Sequence, residues 1–227
     1  MLKSYVLRTG RFTDAQKKAY DALAEKFCIP FFENKIDFSE VFGSAENITL
    51  EIGFGMGIAT AEIAQANPQK NYLGIEVHKP GIGRLLWEIE KRALSNIRII
   101  EHDAAVVAEK MIPLSSLEAI HLFFPDPWPK KRHRKRRLIQ RPFTETLANC
   151  LKPGGYLYMV TDWEDYAVFA LEELSACIAL RNAFEGFASP QSWRPVTKFE
   201  KKGLAKKHEI RELYFVKRVN EQLPPSP

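Results

Sequence analysis

A β-like run over 48–52 passes within Thr-Leu-Glu-Ile-Gly-Phe-Gly-Met-Gly (49–57) straight into three glycines at alternate positions, and residues 58–66 then carry a helical pattern. Glycine permits positive φ and close backbone approach, so the chain can turn there from a strand directly into a helix. Further β-like runs follow at 72–76, 97–101, 119–124, 156–160 and 213–217. Between them, Ile82, Leu85, Leu86, Ile89 and Ala93 mark one face of a helix, and Tyr166, Phe169, Ala170, Leu174, Cys177 and Ile178 mark another. Strands alternating with helices of this length predict βαβ units, hence an α/β fold: a doubly wound, mostly parallel sheet with helices on both faces.

This Rossmann-like arrangement fits 227 residues in one domain. Ahead of it, residues 13–27 read as a helix, with Thr13 and Gln16 at capping-box spacing and Ala15, Ala19, Ala22, Leu23 and Phe27 on one side. A connector rich in Pro and Phe, 30–42, leads into the sheet. We therefore expect an N-terminal extension over 1–42 with one helix packed on the domain, the domain itself over 43–222, and a flexible tail at 223–227 (LPPSP). No signal peptide or membrane span is recognisable, which gives a cytoplasmic expectation. Cys28, Cys150 and Cys177 are widely spaced and odd in number, and read as reduced packing residues. His78, His102, His121, His133 and His208 lack ligand spacing, so no metal is implied.

Charge is unevenly placed. Residues 130–137 (KKRHRKRR) hold seven Lys/Arg and no acid, and 198–211 carry a net +4, so an overall charge of +5 leaves the remainder at −6. An acidic body with two basic patches suits a polyanionic partner.

Open parallel sheets bind ligands at the carboxyl ends of their strands. Three acids fall there: Glu51 before the glycine turn, Glu76 at the end of the second strand, and Asp103 after the third. The turn Gly53, Gly55, Gly57 is GxGxG and not the GxGxxG of a dinucleotide site, and an acid beside it disfavours pyrophosphate. Glu51 could instead accept from an amino-acid ammonium, Glu76 from ribose hydroxyls and Asp103 from an adenine amino group, which together describe an S-adenosylmethionine site. A plain structural turn beside ordinary acids is the alternative.

The fourth strand exits through Phe124-Pro-Asp-Pro-Trp-Pro129 into the basic run. Prolines at 125, 127 and 129 fix alternate φ values and hold Asp126 in a narrow range of positions. Asp126 can accept from guanine N1 and N2, and Trp128 can stack on a purine. As alternatives, Asp126 caps a turn, Trp128 packs in the core, and the basic run is a solvated face or an address signal.

These segments, with Gly74-Ile-Glu-Val77, Thr161-Asp-Trp163, Arg8-Thr-Gly-Arg11 and Thr197-Lys-Phe-Glu200, resemble the bacterial tRNA (guanine-N7)-methyltransferase family over essentially the whole chain. The resemblance implies that Glu51, Glu76, Asp103 and Asp126 border the cofactor S-adenosylmethionine, with Asp126 assigned to catalysis. It further implies that Lys130, Asp162, Thr197, Lys198, Phe199 and Glu200 contact the substrate. Arg132, His133, Arg134, Lys135, Arg136 and Arg137 would touch tRNA. Two rivals are a small-molecule methyltransferase, which has no use for the basic run, and a non-catalytic RNA-binding protein, which has no use for the acids along the sheet edge.

Overall fold

Near-continuous apolar strands can be satisfied only when both faces of the sheet are covered. In the computed structural model, which describes residues 4–5, 10, 12–205 and 208–219, β1 (Ile48–Ile52) is buried at every position. The pieces 8–9, 11 and 223–227 that figured in the sequence reading lie outside the described residues. Around β1 stand β2 (Asn71–Glu76), β3 (Ile97–Glu101), β4 (Leu117–Phe123), β5 (Leu151–Thr161), β6 (Leu180–Asn182) and β7 (Arg211–Lys217), in the order β3-β2-β1-β4-β5-β7-β6. The first five are parallel, and β7 pairs antiparallel with both β5 and β6.

One face is covered by α1 (Asp14–Phe27), α3 (Ile58–Ala66) and α4 (Lys79–Arg92), through Phe27, Ala61, Ile63, Leu85 and Ile89 among others. The opposite face is covered by α5 (Ala104–Lys110), α6 (Phe143–Cys150) and α7 (Glu164–Ser175), through Val107, Leu147, Tyr166 and Leu174. The expected doubly wound sheet is thus present. The capping box is present too: Thr13 Oγ1 accepts from Gln16 N, and Gln16 Oε1 accepts from Thr13 N at 2.9 Å.

Three details differ from the sequence reading. The connector at 30–42 contains α2 (Phe38–Phe42), capped by Asp37 Oδ1 accepting from Ser39 N at 2.8 Å, so the described part of the extension has two helices and not one. α7 stops at Ser175, and Ile178, expected on its buried face, is 90% exposed. Beyond 182 the chain forms a loop and α8 (Lys198–Ala205) before β7.

A buried ionic cluster fastens α8. The Arg194 guanidinium donates to Glu200 Oε2 at 2.5 Å and Oε1 at 3.0 Å, and to Glu212 Oε1 on β7 at 2.8 Å, while the Tyr158 hydroxyl donates to Glu212. These bonds to carboxylates hold Arg194 more firmly protonated than an ordinary arginine. Thr197 and Glu200 close a second capping box: Glu200 N donates to Thr197 Oγ1 at 3.1 Å, and Thr197 N to Glu200 Oε2 at 3.3 Å.

Candidate active site

β1 and β4 are neighbours from which the chain winds in opposite directions, the place where open α/β sheets take ligands. A cleft of about 210 Å³ opens there, lined by Ile52, Gly53, Ile75, Glu76, Val77, His102, Ala104, Phe124, Pro125, Asp126 and Leu138, with Ser4 and Tyr5 of the N-terminal segment.

The glycine turn forms one wall. Gly53, Gly55 and Gly57 have φ of 73°, 58° and 68°, in the left-handed region that disfavours side chains. A Cβ at Gly81, in the first turn of α4, would lie 2.0 Å from the Gly55 carbonyl oxygen, so the turn and α4 touch backbone to backbone. Glu76 secures this wall: its carboxylate accepts from Gly55 N at 2.8 Å, Val77 N at 2.7 Å and His78 N at 3.0 Å. Asp103 N-caps α5, with Oδ1 accepting from Ala105 N at 2.8 Å.

Glu51 is 3% exposed, and burial pushes its carboxyl up to about 7. Its pKa in the folded chain exceeds the ordinary 4.5, so Glu51 supports folding fully below about pH 4.5 and that support is lost as pH rises through 7. Replacement by Gln should therefore flatten the pH dependence of thermal unfolding between pH 4.5 and 7.5. An equally steep profile in Glu51→Gln would show that Glu51 ionises as it does in water.

The opposite wall is the Pro-Asp-Pro exit of β4. Phe124 and Trp128 flank it with φ of 53° and 46°. Non-glycine residues in this region cost about 1–2 kcal/mol each, and such strain clusters at functional sites. Asp126 is exposed on the cleft between them. Trp128 is already engaged: Nε1 donates to the Ser4 carbonyl at 3.0 Å, the Arg136 guanidinium lies 4.9 Å from the ring centroid, and His133 meets it edge-on at 5.9 Å. Its ring is thus covered by Arg136 and met at an angle by His133 within the loop.

The basic run folds as a 3-10 helix, Lys131–Arg136. Arg132, Arg134 and Lys135 are exposed, as is Lys130 ahead of it, whereas His133 and Arg136 are half-buried against Trp128. Arg137 must be withdrawn from the tRNA-contacting group. Its side chain is fully buried over Tyr166 and Phe169, donates to the Pro127 carbonyl at 3.0 Å and pairs with Asp165. It is the internal anchor of the loop.

Asp162 follows β5, which pairs with β4, so it stands at the strand end adjacent to Asp126. It lines a second depression with Trp163, Glu164, Asp165, His208 and Glu209. Trp163 is the N-cap of α7. Thr197 is half-buried and engaged in its capping box, and Glu200 is spent on Arg194; this corrects the expectation that Glu200 offers an open substrate contact. Lys198 stands in the first turn of α8 with Phe199. The T-x-x-E spacing at 197–200 was a legible helix start; Arg194 and Glu212 carried no comparable signal.

The fold is that of the class I methyltransferases. The 16S rRNA methyltransferase KamB superposes with a TM-score of 0.59 at 14% identity, covering 82% of this chain and 95% of that one. A 16S rRNA (adenine(1408)-N(1))-methyltransferase variant with cosubstrate SAM, from Catenulisporales acidiphilia, gives 0.56 at 14% identity over 84% and 96%. Residues 45–213 match the family described as "Putative methyltransferase". A tRNA (guanine-N(7)-)-methyltransferase of Nitrosomonas eutropha is 52% identical over 95% of this chain and 96% of its own, and one of Paraburkholderia xenovorans is 49% identical over 96% and 84%. The chain belongs to the tRNA (guanine-N7)-methyltransferase family. No helix among the described residues is long and apolar enough to cross a membrane.

Proposed function

We propose that the protein transfers a methyl group from S-adenosylmethionine to N7 of a guanosine in the tRNA variable loop, as a cytoplasmic tRNA-modifying enzyme. The observation that carries this reading is the exposed Asp126 on a strained turn, with Glu76 across the cleft and the exposed basic 3-10 helix directly beyond it.

Support for this cofactor comes from Gly53, Glu76 and Asp126 on the cleft itself, with Glu51, Gly55, Gly57 and Asp103 on the same strand ends behind it. Glu51 would take its ammonium group, Gly53, Gly55 and Gly57 would admit its chain, Glu76 would accept from ribose hydroxyls, and Asp103 Oδ2 from the adenine amino group. Ile52, Ile75, Val77, Ala104 and Leu138 supply apolar contact. When bound, S-adenosylmethionine supplies an electrophilic sulfonium methyl. Guanine N7 has a lone pair and no hydrogen, so this chain needs no general base. Its work is alignment, which can contribute up to about 7–11 kcal/mol. Asp126 would hold the guanine edge and offset the positive charge that develops on the purine. Lys130, Asp162 and the start of α8, Thr197 to Phe199, would hold the rest of the nucleoside, with Glu200 fixing that segment from beneath.

Glu76→Ala should weaken S-adenosylmethionine about 10- to 100-fold, since charged hydrogen bonds contribute roughly 1.5–3 kcal/mol each, and leave tRNA affinity unchanged. Calorimetry on the folded variant measures this; equal cofactor affinity would remove Glu76 from the site. Replacing Arg132, Arg134, Lys135 and Arg136 by Gln, with Arg137 left in place, should reduce the salt slope of tRNA binding by about 0.7–0.9 for each phosphate that is no longer neutralised. Cofactor affinity should hold, and an unchanged slope would make the run a solvated face.

The proposal as a whole is tested by incubating the protein with labelled S-adenosylmethionine and total tRNA, then analysing nucleosides. Label in 7-methylguanosine is expected. Label on a small molecule alone, or tRNA binding with no transfer, would favour one of the two rivals.

A further inference from the structure

We propose that His208 is a positioning residue: its ring holds the Asp162 carboxylate in the orientation in which Asp162 meets the target guanine. This rests on the reading of Asp162 as a substrate contact.

The inference begins with where Asp162 points. It precedes the N-cap of α7, and its carboxylate turns to the side on which α8 docks. A Cβ at Gly203 would lie 3.0 Å from Asp162 Oδ2 and 3.1 Å from Asp162 Cβ, so the glycine lets the backbone of α8 rest closely against this side chain. His208 N donates to the Gly203 carbonyl at 3.0 Å, and His208 Nδ1 lies 3.4 Å from Asp162 Oδ2. Ionised Asp162 can only accept, so the tautomer with a proton on Nδ1 satisfies the pair.

The arginines beside this depression are engaged by other carboxylates. Glu164, Asp165 and Glu209 line the same depression. The nearby cation, Arg211, is engaged by Glu164 at 3.9 Å and by Glu209. Asp165 is taken by Arg134 and Arg137. The backbone under Asp162 is fixed by Trp163 N donating to Thr161 Oγ1 at 3.2 Å, which leaves the side-chain torsions for His208 and Gly203 to restrict. α8 can serve as a rigid backstop because the Arg194 cluster pins its first turn.

The test compares His208→Asn, which keeps an N–H donor near the Nδ1 position, with His208→Leu, which has nearly the shape of Asn without the donor. Single-turnover methyl transfer at saturating cofactor and tRNA, and tRNA affinity, are measured for both, for Asp162→Ala and for the His208→Leu/Asp162→Ala double variant. We expect His208→Leu to lower the rate about 10-fold with tRNA affinity within about 2-fold, because misorientation acts on the rate more than on binding. His208→Asn should recover most of the rate, and the double variant should be no slower than Asp162→Ala alone. Equal rates for Asn and Leu, or additive losses in the double variant, would overturn the positioning role while leaving Asp162 in the site. A normal rate for Asp162→Ala, with transfer to guanosine intact in the wild type, would overturn the substrate reading of Asp162 and the role of His208 with it.

Discussion

Asp126→Asn is expected to slow single-turnover methyl transfer by about 100-fold or more, a barrier increase of about 2.7 kcal/mol, with the fold and tRNA affinity preserved. The substitution keeps the shape of the side chain but removes its charge and turns one acceptor into a donor against the guanine edge. Because Asp126 sits between two left-handed residues and two prolines, its backbone has little freedom to compensate. If Asp126 orients the purine and takes no proton, the wild-type rate should not follow the titration of one base near neutral pH. A log-linear rise of slope one that vanishes in the Asn variant would make Asp126 a proton acceptor. Near-normal turnover by Asp126→Asn would move the chemistry away from this turn.

The largest stability effect is expected from Arg194→Met. The methionine fills a similar volume but leaves Glu200 and Glu212 without their cation, and both carboxylates are almost fully buried. Removing one partner of a buried ionic cluster costs about 3–5 kcal/mol. For a chain of this size that corresponds to a fall in melting temperature of roughly 6–20 °C, at about 2–4 °C per kcal/mol. Adding Glu200→Gln and Glu212→Gln should restore much of the loss, since the uncompensated charges are then gone. A melting temperature unchanged by Arg194→Met would mean that the two carboxylates find water or another cation, and the cluster would cease to explain how α8 is held.

Local patterns carried a large part of this architecture. The bounds of β1, α3 and β3 follow directly from apolar periodicity and the glycine turn, and the Thr13–Gln16 box marks the start of α1 to the residue. Where the sequence misled, the cause was long-range. The eight residues of the basic run look alike in sequence, yet a 3-10 helix sends successive residues to different sides, and Arg137 ends up beneath the loop over Tyr166 and Phe169. Glu200 has the spacing of a helix cap and the composition of a surface acid; its burial depends on Arg194, six positions earlier, and on Glu212 from another strand. Apolar periodicity continues to Ile178, but α7 ends at Ser175 and the chain turns into the three-residue strand β6, too short to leave an alternating pattern.

The strand-end acids show the converse. The strand ends place Glu51, Glu76, Asp103 and Asp126 along one edge of the sheet, but only Glu76 and Asp126 line the cleft, with Glu51 buried behind it. That Glu76 also holds the glycine turn and Asp103 also caps α5 could not be read from spacing alone.

The central claim is that the accepting atom is N7 of a variable-loop guanosine, held beside Asp126. The most direct measurement is methyl transfer to a substrate tRNA in which that guanosine is replaced by 7-deazaguanosine, which keeps the N1 and N2 edge for recognition and puts a carbon where N7 stood. The modified tRNA should bind with ordinary affinity, compete with the unmodified tRNA and accept no methyl group. Continued methylation at that nucleoside, or transfer to another base at an undiminished rate, would contradict the account.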